Sequence, residues 1–128
     1  MRAARLAAER GKVKLCKGRR VWHWLAMTEI RDPEACATMT EVRAGVDDVD
    51  RRIVTLLARR FGYMDAAARI KPDRSAVRDE WRKADVLAKV DAAAAEHGLD
   101  RRLVARLYED LIETSIAHEL GEFDRIRS

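Results

Sequence analysis

The sequence contains few of the residues that break helices or crosslink a chain. Its 128 residues include two prolines and six glycines, whereas a β-sandwich or barrel needs many such residues for its turns. Its two cysteines are too few for a disulfide framework, and neither a CxxC motif nor a His/Cys cluster indicates a zinc site. No run of about 18 apolar residues occurs, so we expect no membrane-spanning helix and no membrane partner.

The residues that are abundant favour long helices. Hydrophobic residues make up 48% of the chain, enough for a core, and charged residues make up 38%, above the roughly 25% of a typical globular protein. Ala, Leu, Arg and Glu, which have high helix propensity, are frequent. We therefore predict an all-α protein with one folded domain.

Positive charge is concentrated at the N-terminus. Residues 1–26 carry eight Lys or Arg and one Glu, a net charge of +7, whereas residues 27–128 carry 18 basic and 21 acidic residues, a net charge of −3. We interpret residues 1–26 as a basic extension, disordered or created by a mis-assigned start, and residues 27–128 as the helical domain. Nucleic-acid binding would depend on this extension alone, where Trp22 and Trp24 lie near basic residues. That makes a nucleic-acid partner the weaker hypothesis.

The extension does not resemble a secretory signal. An apolar core of about 7–15 residues would have to follow its basic residues, and none does. Its arginines leave a transit peptide open as an alternative, although it contains no serine. Because Cys16 and Cys36 are typical of reduced thiols, we expect a cytoplasmic protein.

The apolar pattern predicts a long first helix. Thr38 and Glu41 form a capping-box pattern, and Lys71-Pro72 ends the helix. Its length of about 45 Å exceeds what the rest of the chain can cover, so we expect a second chain against its apolar seam. The seam consists of apolar residues at heptad a and d spacing: Met39, Val42, Val46, Val49, Ile53, Leu56, Tyr63, Ala67 and Ile70.

Two shorter helices follow, and a turn at Asp32-Pro33-Glu34 precedes the first. The second helix is predicted from about Ala76 to Glu96, with Gly98 as a C-terminal cap. The third is predicted to begin after an N-cap at Asp100 and to end at about Leu120. The order of the helices is therefore long, short, medium.

Two cations of the first helix stand out as candidate ligands for an anion. Arg60 interrupts the apolar seam, and a buried guanidinium needs an anion or a partner. Lys71 follows 11 residues later, which places it about 16 Å along the helix on nearly the same face. The two side chains could close on a small anion between them. Alternatively, the Arg60 stem extends to solvent and Lys71 complements the helix dipole.

Other polar residues lie where an apolar face continues. Ser115 and Glu119 extend the face of Leu107 and Leu111, although a back-bonded hydroxyl and a solvated acid are the simpler readings. Arg43 lies roughly 100° around the first helix from Arg60, so it would join an anion site more easily from a second chain. The charged residues at the start of the second helix are typical of a surface.

These spaced residues resemble the all-helical chorismate mutases. Within this family, the segment before the first helix, the end of that helix and the turn before the third are similar to the isochorismate-pyruvate lyases. The family motif corresponds to residues 42–50, 56–60 and 77–82 together with Lys71, Ser115 and Glu119. The lyase similarity corresponds to residues 32–36, 59–71 and 96–100.

The resemblance implies an intertwined homodimer that rearranges chorismate to prephenate without a metal or cofactor. Arg60 and Arg43 of the partner subunit would bind the two carboxylates of the substrate. Lys71 would bind the ether oxygen and a carboxylate, and Glu119 would donate a second hydrogen bond to that oxygen. Three further residues would line the site: Asp79, Arg82 and Ser115.

Two positions depart from the family pattern. Glu119 stands where the family often has Gln, and a carboxyl group donates a hydrogen bond only when it is protonated. Lys83 stands where a mutase usually has a Glu that accepts from the ring hydroxyl of chorismate. Loss of that acceptor favours the lyase, which makes salicylate and pyruvate from isochorismate. A helical dimer that binds acidic partners through its basic extension is the non-enzymatic alternative.

Overall fold

The computed structural model describes residues 29–128, so the predictions for residues 1–26 lie outside the described residues. Three α-helices follow one another: α1 (Met39–Ile70, 32 residues), α2 (Glu80–Glu96, 17 residues) and α3 (Arg101–Arg127, 27 residues). Two 3₁₀ turns, Pro33–Ala35 and Arg74–Ala76, precede α1 and α2. Residues 29–128 contain no strand, and the predicted all-α class and helix order are confirmed.

The helix ends are formed by local hydrogen bonds that the sequence predicted. Thr38 Oγ1 accepts from the Glu41 amide at 3.2 Å, and the Glu41 carboxylate accepts from the Thr38 amide at 3.0 Å. This reciprocal pair is a capping box. At the start of α3, the Asp100 carboxylate accepts from two backbone amides. Gly98 has φ of 68°, the left-handed conformation that ends a helix and favours glycine.

Two predicted helix ends were wrong. The second helix begins at Glu80 rather than Ala76, because the Asp79 carboxylate accepts from the Arg82 amide at 3.0 Å and so caps the helix there. The third helix ends at Arg127 rather than Leu120. Its additional turns bury Phe123, which is 7% exposed, and the apolar area buried favours the longer helix.

The chain forms two compact units, which divide between Val54 and Thr55. In the second unit, α2 packs on α3, and buried Ala68, Val77 and Phe123 form a core cluster with Ile116 and Leu120. In the first unit, the segment before α1 and the first turns of α1 line a pocket of about 630 Å³. Each unit thus has its own local packing.

The apolar seam of α1 is exposed within this chain. Met39, Leu56 and Ile70 are 60%, 63% and 76% exposed, and the seam residues between them include further half-exposed side chains. Apolar area of this extent at regular heptad spacing is typical of a surface that contacts another chain.

Among the described residues, the helices are too polar or too short to span a bilayer.

Candidate active site

A hydrogen-bonded serine connects Arg60 of α1 to α3. Arg60 Nη1 donates to Ser115 Oγ at 2.6 Å, and Ser115 Oγ donates to the carbonyl oxygen of Leu111 at 2.6 Å. Ser115 is 3% exposed. The hydroxyl is therefore back-bonded to its own helix and also orients the guanidinium. A guanidinium carries five N–H donors, so this contact leaves Arg60 able to bind a carboxylate as well.

Lys71, directly after α1, pairs with Glu119 of α3. Lys71 Nζ donates to Glu119 Oε2 at 2.7 Å, and the Glu119 side chain is 5% exposed. Burial removes most of the water that would otherwise solvate the Glu119 carboxylate, so this group depends on the ammonium group of Lys71, whose side chain is 28% exposed. The simpler interpretation of Glu119 as a solvated terminal acid is wrong.

The two contacts converge on a small region of α3. Arg60 and Lys71 are separated by about 16 Å along α1, whereas Ser115 and Glu119 are separated by only about 6 Å along α3. The charged ends of the two cations therefore approach each other more closely than their backbones do. We call Arg60, Lys71, Ser115 and Glu119 the four-residue site. It places two cations, one hydroxyl and one carboxyl group together, which suits binding of a small dianion.

Asp79 and Arg82 lie at the start of α2. The Asp79 carboxylate caps the helix, and the Arg82 guanidinium donates to Asp85 at 2.5 Å. Hydrogen bonds from Lys89 and then Arg82 to the Asp85 carboxylate lower the pKa of Asp85. Within residues 29–128, the hydrogen bonds of Asp79 and Arg82 are made inside α2 rather than to the four-residue site.

Arg43 belongs to the first unit. It is exposed on α1, two residues after Glu41 of the capping box. In this unit Arg43 is an exposed residue of a regular helix. That Arg43 extends into the active site of a partner subunit stays a prediction.

A second charged cluster, which sequence reasoning missed, surrounds Glu113 of α3. Arg78 Nη2 and Lys83 Nζ donate to the Glu113 carboxylate at 2.7 and 2.9 Å, and Lys83 Nζ also donates to Glu109 at 2.6 Å. Hydrogen bonds from Arg78 and then Lys83 lower the pKa of Glu113 to about 2. Hydrogen bonds to Glu109 and Glu113 raise the pKa of Lys83. We call these four residues the Glu113 cluster.

The Glu113 cluster explains how the chain accommodates a largely buried Lys83. Only 17% of the Lys83 side chain is exposed, and two carboxylates of α3 compensate its charge. The signal available in the sequence was the i,i+4 spacing of Glu109 and Glu113, which places both acids on one face of a helix. That spacing alone does not identify the partner, since α2 is more than 20 residues away in sequence.

No group of three or more His, Cys, Asp or Glu side chains within residues 29–128 is arranged to hold a metal ion. The polar groups of the four-residue site are two cations, a hydroxyl and one carboxylate. This donor set suits an organic anion better than a cation, because a metal ion would meet two positive charges.

Comparisons with known proteins agree with this helical site. The family profile described as chorismate mutase type II matches residues 42–120, which include all four residues of the four-residue site. The chain is also 33% identical over 98 residues to an isochorismate pyruvate lyase of Pseudomonas aeruginosa. That alignment covers 77% of this chain and 97% of the relative.

The profile match and the similarity to the lyase define the class: the chain belongs to the type II chorismate mutase family. Its fold agrees with that of the family, with three helices and no strand in residues 29–128. Both findings support an enzyme of this family.

Proposed function

We propose that this protein is a cytoplasmic chorismate mutase that rearranges chorismate to prephenate in aromatic amino-acid biosynthesis. The observation that carries the proposal is the convergence of Arg60 and Lys71 on Ser115 and Glu119. The reaction breaks one C–O bond and forms one C–C bond within a single substrate molecule. It requires no nucleophile, metal or cofactor, so positioned charges supply the catalysis.

Each residue of the four-residue site has a proposed role. Arg60 binds one substrate carboxylate with its guanidinium fork, held in position by Ser115. Lys71 leaves Glu119 in part to bind the ether oxygen, where negative charge develops as the C–O bond breaks. Glu119, when protonated, donates a second hydrogen bond to the same oxygen.

Asp79 and Arg82 complete the proposed binding surface from the start of α2. Asp79 holds the first turn of α2 through the Arg82 amide, and this bond fixes the end of the segment that follows Lys71. Arg82, whose side chain is more than half exposed, is available to extend the positive surface toward the substrate. This arrangement supports a lining role for both residues rather than a role in the bond changes.

We further propose an intertwined homodimer in which Arg43 reaches the active site of the partner subunit. Two features support this. The seam residues of α1 are exposed in the single chain, and Arg43 lies on an exposed part of the same helix. A second copy would cover the seam and bring a third cation to a substrate with two carboxylates.

Isochorismate-pyruvate lyase is the second candidate, favoured by two observations. The Pseudomonas aeruginosa relative carries that name and aligns over 97% of its length. In addition, Lys83 occupies a position where the mutase pattern has an acceptor for the ring hydroxyl, and Glu109 and Glu113 hold its ammonium group. A lysine has no acceptor to offer that hydroxyl.

A side-by-side turnover assay on chorismate and isochorismate tests the proposal. Loss of ultraviolet absorbance reports the mutase and salicylate fluorescence reports the lyase, each with and without residues 1–26. A higher kcat/KM on chorismate, unchanged by the truncation, supports the mutase. A higher value on isochorismate replaces it with the lyase. No turnover of either substrate overturns the enzyme proposal, and loss of acidic-ligand binding on truncation then favours the basic extension.

A further inference from the structure

The last residue of α3 caps the end of α1. Arg127 Nη1 donates to the carbonyl oxygen of Ala68 at 2.9 Å, and Arg127 Nη2 donates to the carbonyl oxygen of Lys71 at 2.8 Å. The guanidinium lies 3.6 Å from the ring centroid of Phe123, whose carbonyl oxygen it also contacts at 3.3 Å. One side chain therefore joins residues 56 and 59 positions away in sequence.

These carbonyl groups need a donor from outside α1. The carbonyl of Ala68 would ordinarily accept from the amide of residue 72, but Pro72 has no N–H. The carbonyl of Lys71 lies beyond the helix, whose last backbone bond is from the Lys71 amide to Ala67 at 2.9 Å. Ala68 is fully buried, so water does not reach its carbonyl group, and leaving this group without a hydrogen-bond donor would destabilise the fold. Arg127 supplies the missing donors.

The geometry points to Arg127 as a positioning residue for Lys71. This inference deepens the proposed function, on which it rests. Lys71 is held on both sides of its Cα, by its amide to Ala67 and by its carbonyl to Arg127, and its side chain reaches Glu119 at 2.7 Å. Arg127 has no proposed contact with the substrate and acts through the Lys71 backbone.

An arginine suits this position better than a lysine. Its planar fork spans two carbonyl groups at once, whereas an ammonium group is a single point. The guanidinium also stacks on Phe123, which belongs to the buried core cluster with Ala68 and Val77. The contact to the core fixes the guanidinium, and the guanidinium in turn fixes the end of α1.

The test compares Arg127→Met and Arg127→Lys with a matched control, Arg125→Met. Arg125 is an arginine two residues earlier whose guanidinium pairs with Glu122 on the same helix, and its side chain is 69% exposed. All three variants lose or alter one guanidinium on the last turn of α3. They differ in whether the wild-type guanidinium donates to backbone carbonyl groups at the end of α1, as that of Arg127 does.

We expect Arg127→Met to lower kcat about ten-fold with a much smaller change in KM, because misplacing a group that acts at the bond-breaking oxygen slows the chemical step. Arg127→Lys should recover part of that loss, and Arg125→Met should stay within about two-fold of the wild type. Equal kcat values for Arg127→Met and Arg125→Met, measured where circular dichroism shows both folded, would overturn the inference.

Hydrogen exchange at the Lys71 amide separates this inference from the proposed function and from a general loss of stability. In Arg127→Lys, which retains a donor and the charge, we expect faster exchange at Lys71 while buried Ile112 on α3 exchanges as in the wild type. Equal acceleration at both amides would show a merely structural role and overturn the inference. This measurement needs no substrate, so it stands even if wild-type turnover is absent and the proposed function fails.

Discussion

The two charged clusters of the second unit differ in burial although both join an earlier segment to α3. In the four-residue site, Lys71 pairs with a Glu119 side chain that is 5% exposed. In the Glu113 cluster, Arg78 and Lys83 share a Glu113 side chain that is 40% exposed. Water screens the second cluster but largely not the first. We propose that the Lys71–Glu119 pair serves chemistry, whereas the more exposed Glu113 cluster serves local stability and charge compensation.

The largest expected effect comes from Lys71→Met, which removes the cation of the buried pair. We expect kcat/KM on the preferred substrate to fall at least about a thousand-fold, because the developing charge on the ether oxygen loses its main partner. The variant also leaves the buried Glu119 carboxylate uncompensated, so its thermal midpoint should fall as well. Steady-state kinetics and circular dichroism measure the two effects. Turnover within ten-fold of the wild type would remove Lys71 from the proposed mechanism.

A second large effect concerns the pH dependence of turnover and Glu119. If Glu119 donates to the ether oxygen, only its protonated form is active, so mutase activity should rise as pH falls. Glu119→Gln donates at every pH and should flatten the profile. The measurement is kcat/KM against pH for both proteins, each over the range where it stays folded. Identical profiles would contradict this role for Glu119.

The third effect is on stability and comes from the Glu113 cluster. The pKa of Glu113 is lowered from 4.5 to about 2 by Arg78 and Lys83. A carboxyl group with a lowered folded-state pKa stabilises the fold above its unfolded pKa of about 4.5, and this contribution is lost as pH falls toward 2. Glu113→Gln should therefore melt a few degrees lower at neutral pH, and the gap should close in acid.

The kinetic control for Glu113→Gln is its turnover at neutral pH. Because the Glu113 cluster lies outside the four-residue site, we expect kcat to stay within a few-fold of the wild type under conditions where the variant is folded. A loss of kcat as large as that of Lys71→Met would mean that the two clusters do not differ as proposed.

The smallest expected effect is a difference between the two clusters in how salt concentration changes their contribution to thermal stability. Raising the salt concentration from about 0.1 M to 1 M shortens the Debye length from about 10 Å to 3 Å. The difference in melting temperature between wild type and Glu113→Gln should shrink, because the side chains of Glu113 and Arg78 are 40% and 47% exposed. The difference between wild type and Lys71→Met should change little. Equal salt sensitivity in thermal melts would show that burial does not separate the clusters.

Much of the fold was predictable from the sequence because helix formation is largely local. The capping box at Thr38 and Glu41, the cap at Asp100 and the glycine at position 98 act within one helical turn, and the structure confirms each of them. The sequence also indicated Arg60, Ser115 and Glu119, because each interrupts or extends an apolar pattern with a polar side chain, and it indicated Lys71 because this residue lies on nearly the same helix face as Arg60.

Tertiary structure decided what depends on groups far apart in the chain. Phe123 and Ile126 continue the apolar spacing beyond Leu120, but only the packing of Phe123 with Ala68 and Val77 shows that these additional turns of α3 contribute to a core. The α3 partners of Lys83 and the α1-end partners of Arg127 lie 26 to 59 residues away in sequence. Periodicity places a side chain on a helix face, but only packing of the helices selects the group that it meets.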